Sequence, residues 1–174
     1  MTYPQIYVAC LSAYNCGYLH GKWLDATQDP VDIRKEIEII LQTSPVADEE
    51  ACEEWAIHEY ENFKGISIGE YESLENVSQL ANAVLFYGAA FAAFYESESF
   101  DNIDSAISQF EDRYQGEYQQ KSDFALEYAE NCGHSLEESH PLYDYINFDR
   151  YADDLFSSSF YYVRSGNSIY VFAN

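Results

Sequence analysis

The sequence predicts an α+β protein assembled from three small domains. An N-terminal α+β domain with antiparallel strands covers residues 1–64, a central helical domain covers 65–104, and a C-terminal α+β domain covers 105–174. Three observations carry this expectation. The 174 residues are 47% hydrophobic and include 17 Tyr, 11 Phe and 2 Trp, a composition that supports a core where a disordered acidic chain would be poor in aromatics. Uncharged runs rich in β-formers lie near both ends of the chain, whereas its middle repeats apolar residues at helical spacing. Glycine, proline and asparagine punctuate the segments between them.

The elements follow in order. Residues 5–11 read as a buried strand, Asn15, Cys16 and Gly17 as a turn, and residues 18–25 as the return strand of a hairpin. Asp29 offers an N-cap and Pro30 the first helical position. Ile33, Ile37, Ile40 and Leu41 then recur at helical spacing, with Glu36 and Glu38 turned outward, until Ser44 and Pro45 stop the helix. Residues 54–60 have strand character, and Lys64 with Gly65 closes the first domain. In the middle, Tyr71, Leu74, Val77, Leu80, Ala81, Val84 and Leu85 follow a helical period that Gly88 interrupts, and residues 89–95 form a second short apolar helix. Residues 104–110 continue as a helix with Ile103, Ile107 and Phe110 on one face, and residues 114–118 read as a loop. Ser122 can cap a helix bearing Phe124, Leu126, Tyr128 and Ala129 that ends at Cys132 and Gly133. Asn147 opens a last helix through Tyr151, Leu155 and Phe156, and residues 160–163 and 169–172 flank Ser165, Gly166 and Asn167 as a β-hairpin.

Charge is the dominant feature. The chain holds 31 Asp plus Glu against 8 Lys plus Arg, a formal net charge of −23. Residues 1–47 carry 5 acids and 3 bases, whereas residues 48–174 carry 26 acids and 5 bases. The acids are interspersed through patterned segments instead of forming one solvated tail. Duplex DNA carries one negative charge per ~1.7 Å of axis, so this charge corresponds to about 39 Å of duplex. A compact chain of this length has a diameter of about 40 Å, so its charge per unit length approaches that of DNA. Carboxylates four residues apart on a helix sit about 5–6 Å from each other, and those two apart on a strand about 6.6–7 Å, which suits successive phosphates. The same composition also describes a halophile's solvated surface.

Several function classes are disfavoured. No HExxH, GxSxG, Walker A or GxGxxG pattern occurs, and His20, His58, His134 and His140 form no zinc-spaced cluster with cysteine. His58 and Glu59 are strand neighbours facing opposite ways, not a ready acid–base couple. Acid pairs such as Glu53 with Glu54 and Asp153 with Asp154 sit in no EF-hand-like loop, so neither catalysis, a metal nor a cofactor is expected. Eight basic residues cannot offset phosphate repulsion, which argues against direct nucleic-acid binding. No apolar run approaches the ~20 residues of a bilayer span, and the start lacks a signal-peptide pattern. Cys10, Cys16, Cys52 and Cys132 show no CxxC pairing and are expected as free thiols in the cytoplasm.

Four blocks of sequence carry a resemblance: residues 6–15 with Gly21 to Asp25; residues 53–63; residues 110–118, Phe-Glu-Asp-Arg-Tyr-Gln-Gly-Glu-Tyr; and residues 151–156 with the closing Tyr170, Val171 and Phe172. In order and spacing the chain resembles the ArdA antirestriction proteins over essentially its whole length. The resemblance implies an elongated, curved, three-domain protein paired into a homodimer, whose acidic surface mimics bent B-form DNA. It also implies inhibition of type I restriction–modification enzymes at the groove of their methylase and specificity core. The acids expected on that surface are Asp48, Glu49, Glu50, Glu53, Glu54, Glu59, Glu61, Glu70, Glu72, Glu75, Glu96, Glu98, Asp101, Asp104, Glu111, Asp112, Glu117, Asp123 and Glu127. Phe110, Glu111, Asp112, Tyr114, Gly116, Glu117, Tyr118 and Phe124 match the family's antirestriction motif, implied to lie near the dimer interface. Two alternatives stay open on the residues alone: an acidic chaperone for another basic DNA-binding protein, and a halophile-type acidic protein of another function.

Overall fold

In the computed structural model, residues 2–48, 51–134 and 137–174 are described, and the chain divides into two compact units, Met1–Ser105 and Ala106–Asn174. The fold is mixed α and β with two small antiparallel sheets.

The first unit is built around strand β1 (Gln5–Cys10), which pairs antiparallel with β2 (Gly21–Asp25) on one side and β3 (Trp55–Glu61) on the other. Its central place explains its apolar sequence: Ile6 and Val8 are fully buried, while Tyr7 on the opposite face packs edge-on against its cross-strand partner Trp23, with ring centroids 5.6 Å apart. Between β1 and β2 the chain forms a short helix, α1 (Leu11–Asn15), where the sequence pattern carried the strand on to residue 11. Helix α2 (Pro30–Gln42) starts as its residues dictate. The Asp29 carboxylate accepts from the Val31 amide at 2.9 Å, and Pro30 occupies the first turn, where its missing N–H costs nothing. Ile33, Ile37 and Ile40 form its buried face, and Thr43 ends it, one residue before the expected stop.

Helix α3 (Leu74–Ser97) opens with the Ser73 hydroxyl accepting from the Asn76 amide at 3.1 Å. Gly88 has φ 71° and ψ −150°, so the element is two helices meeting at a break. Only glycine adopts that backbone conformation without strain. The element also corrects an expectation, because its 24 residues include a window of mean hydropathy 1.4, apolar and long enough to cross a membrane. The core explains that apolarity: 56% of the window is buried, including Val77, Ala81, Phe91 and Phe94. Helix α3 is also tied to the segment before α2. The Ser78 hydroxyl donates to the Gln28 carbonyl at 2.7 Å, and the Asn82 amide donates to the Thr27 carbonyl at 3.1 Å.

The second unit contains most of α4 (Ile103–Arg113), then β4 (Tyr114–Tyr118), α5 (Lys121–Asn131), a 3-10 turn at Tyr143–Tyr145, α6 (Phe148–Ser158), β5 (Phe160–Ser165) and β6 (Ser168–Ala173). The closing hairpin forms as expected, and β6 is the central strand, in the order β4-β6-β5. Residues 114–118 are therefore a strand, not a loop. Gln, Gly and Glu are poor strand formers, but Tyr114, Gly116 and Tyr118 alternate with exposed Gln115 and Glu117, and a bulge absorbs the irregular register. Strand β6 is buried on both faces. Ile169 and Val171 pack with Phe124 and Phe160 in a core flanked by Tyr118, Tyr128, Leu155 and Phe156. On the other face, Phe172 lies 5.6 Å from the Tyr114 ring, 6.1 Å from Phe110 and 5.3 Å from Tyr161. The cap of α5 is also corrected. Gln120 is the N-cap, with its amide and side chain donating to the Asp123 carboxylate at 3.2 and 3.0 Å, and Ser122 lies inside the first turn. The Asn147 side chain caps α6 by accepting from the Arg150 amide at 2.9 Å.

Candidate functional site: an acidic surface

The expected carboxylates are set out on both units by ordinary elements. Asp48 is exposed in the turns after α2, and Glu53 and Glu54 are exposed on the approach to β3. Glu49 and Glu50 lie outside the described residues. Glu59 and Glu61 stand two apart on β3 and point the same way, which the pleat spaces at about 6.6–7 Å. A bulge precedes them: Tyr7 pairs with Glu59 and Val8 with Ile57, leaving His58 as the extra residue, stacked edge-on against Tyr14 at 4.9 Å.

Glu70, Glu75, Glu96, Asp101 and Asp104 are exposed, whereas Glu72 and Glu98 are half-buried. Glu72 accepts from the Asn76 side chain at 2.7 Å, Glu96 from the Ser67 amide at 3.2 Å, and Asp104 from the Gln79 side chain at 3.3 Å. On the second unit Glu111, Asp112, Glu117 and Glu127 are exposed, while Asp123 is half-buried at the α5 cap. Glu130, Asp149, Asp153 and Asp154 are further exposed acids that were absent from the expected set. Their signal was available. Glu127 and Glu130 are three apart on α5, and Asp149 and Asp153 four apart on α6, the separations that place carboxylates on one helix face.

Basic side chains are largely occupied within the chain. Lys22 pairs with Glu36 at 2.6 Å, Lys35 with Asp32 at 2.6 Å, Arg34 with Glu75 at 3.9 Å and Lys121 with Asp153 at 3.4 Å. Arg113 donates to the Ala173 carbonyl at 2.9 Å and lies over the Tyr161 ring. Lys121 also lies over the Phe156 and Tyr162 rings. Lys22 and Gln28 together hold the Glu36 carboxyl below its ordinary range, by hydrogen bonds that favour the charged form.

The motif residues divide between core and surface. Phe110 is buried and stacks on Tyr114 at 4.9 Å, and Phe124 is buried 5.3 Å from the Tyr118 ring. Gly116 has φ 145°, a backbone conformation that favours glycine, and a β-carbon there would lie 3.0 Å from the Tyr118 ring, which would have to shift. Burial, then the nearby Glu127 carboxylate, pushes the Tyr118 hydroxyl up to about 12. Burial and Glu117 raise Tyr114 and Tyr170 in the same direction. Glu111, Asp112 and Glu117 project to solvent beside this aromatic core.

Among the described residues, no three His, Cys, Asp or Glu side chains gather as a metal site. His20 contacts the Ile40 carbonyl at 2.7 Å, and the His140 ring accepts from the Leu142 amide at 3.1 Å. Buried Cys10 contacts the Ser44 hydroxyl at 3.6 Å, and all four cysteines are unbridged.

These features define a class: a small acidic protein of mixed α and β structure that displays many of its carboxylates on its surface. The family comparison makes this specific. The model of the antirestriction protein ArdA matches residues 6–168, nearly the whole chain, and the chain belongs to that family. It is an antirestriction protein, and its family implies interaction with restriction–modification enzymes. No curated protein matches it.

Proposed function

We propose that this protein mimics B-form DNA and inhibits type I restriction–modification enzymes by occupying the DNA groove of their methylase and specificity core. The observation that supports the reading is a net charge of −23 whose carboxylates remain exposed on both units, while most basic side chains are tied up internally. A groove built for duplex DNA holds Lys and Arg at phosphate spacing. Carboxylates fixed on β3, α5 and α6 engage such residues at separations of about 5–7 Å. They do so without the energy that bending a duplex costs, which gives the decoy an advantage over DNA. The protein acts as a homodimer in the cytoplasm, with residues 110–118 near the pairing surface, and the 1–64, 65–104 and 105–174 segments act as three domains. It does no catalysis and holds no cofactor.

The test combines a cellular and a binding measurement. Expression should relieve type I restriction of unmodified DNA, and the purified protein should displace duplex DNA from a type I methylase core. An enzyme that binds protein and DNA together would sink the competitive reading. Capture of an unrelated basic protein in place of the methylase core would favour the acidic-chaperone reading.

A further inference from the structure

Phe86 on α3 is 80% exposed, an unusual position for a phenylalanine in a helix whose other rings form the core. Its ring is not loose. It packs edge-on against Tyr87 with centroids 4.7 Å apart. Tyr87 lies 6.0 Å from Phe91, Phe91 stacks on Tyr95 at 5.9 Å, and Tyr95 stacks on Phe100 at 5.9 Å. A row of rings therefore runs from the fully buried Phe91 out to solvent at Phe86, two residues before the Gly88 break. An exposed ring held in this way loses little side-chain entropy when a partner covers it.

The same helix face carries one acid, Glu75, which Arg34 approaches at 3.9 Å. At 100° per residue, Glu75, Gln79, Asn82 and Phe86 fall within about 40° of one line, and all four are exposed. Asp104 adds its carboxylate by accepting from Gln79. With a rise of 1.5 Å per residue, Gln79 lies about 10 Å and Glu75 about 16 Å along the axis from Phe86. The result is an aromatic anchor at one end of a carboxylate-bearing stripe.

We infer that this stripe, with Phe86 as its apolar anchor, docks on a basic protein surface that offers a small apolar pocket among Lys and Arg, on the restriction–modification enzyme itself. The inference rests on the partner reading above and deepens it by naming a contact that DNA mimicry does not supply, since duplex DNA presents no such ring. Charge complementarity selects the occupant. A second copy meeting this face would bring Glu75 and Asp104 near a second pair of the same acids, offset in part by Arg34 beside Glu75. A cationic partner meets the same stripe with the opposite sign.

The test uses the full-length protein and a purified type I methylase core, with direct binding measured by calorimetry and DNA displacement measured separately. Phe86→Ala should weaken direct binding at least about tenfold, the loss expected of a central aromatic anchor. Its thermal melting should stay near the parent's, and its oligomeric state by sedimentation should be unchanged. Glu75→Gln with Asp104→Asn should instead flatten the salt dependence of binding. Parent-like affinity of Phe86→Ala would overturn the inference while leaving competition with DNA intact. Loss of self-association in Phe86→Ala would also overturn it, by assigning the face to a second copy. Retained sensitivity to Phe86→Ala in a protein that does not displace DNA would support the anchor and refute the mimicry.

Discussion

At the scale of single residues, two side chains report their surroundings through pH. Glu36 accepts from Lys22 at 2.6 Å and from Gln28 at 3.0 Å, which holds its carboxyl below the ordinary value of 4.5. A depressed folded-state value means the stabilisation is present above the ordinary glutamate range and is lost as pH falls through the lowered value. Urea titrations at a series of pH values should find Glu36→Gln less stable than the parent at neutral pH. The difference should close in acid. Tyr118 is the opposite case, raised from 10 to about 12 by burial and then by Glu127. Its contribution is present below pH 10 and is lost as pH rises through about 12. An alkaline titration followed by tyrosinate absorbance should lose its latest-titrating component in Tyr118→Phe. If the component persists, another tyrosine carries it.

At the scale of elements, the Gly88 break in α3 gives a prediction whose sign is informative. In a continuous helix, replacing glycine by alanine stabilises by roughly 0.5–1 kcal/mol. At φ 71° and ψ −150° an alanine is strained, and a β-carbon there meets nothing within 4 Å, so the whole cost comes from the backbone. Gly88→Ala should therefore destabilise by about 1–3 kcal/mol, seen as a lower melting temperature. A stabilised variant would mean that α3 runs straight. The α2 cap offers a simpler case: Asp29→Ala should cost about 1 kcal/mol by releasing the Val31 amide. Both features were legible in the sequence, because caps and helix breaks are chemistry between near neighbours. Strand β4 was not legible. Its residues have low strand propensity, and what makes Tyr114–Tyr118 a strand is pairing with β6, about 50 residues further along the chain.

At the scale of the whole molecule, the prediction concerns charge. Each exposed carboxylate is one of many, so single Glu→Gln changes should weaken binding to the methylase core only slightly. Joint neutralisation of a group such as Glu59, Glu61 and Glu70 should cost more than the sum of its parts. Abolition of inhibition by a single Glu→Gln change would refute a distributed surface. Circular dichroism across a salt series separates a mimic from a halophile protein. A mimic keeps its fold at low ionic strength and binds more tightly there, because screening weakens exposed charge pairs. A halophile protein unfolds.

Legible in the residues alone were the α+β class, the antiparallel pairing of the first two strands, the closing hairpin, the capped α2, the break at Gly88, the excess of acid and the family blocks. Each of these is a local pattern, a composition or an ordered string of residues. Which partner each carboxylate meets was set by the tertiary fold. Glu36 and Glu127 are both helix acids, yet Glu36 is half-buried and tied to Lys22 fourteen residues away, whereas Glu127 is exposed and hydrogen-bonds Tyr118 of β4. Asp123, expected on the surface, serves the α5 cap, and Phe86, one apolar residue among many in α3, emerges as the exposed end of a row of rings. The physical reason is the same in each case. Exposure and pairing depend on what folds against a side chain from a distance, and a sequence read locally carries propensity and periodicity but not the identity of the neighbour.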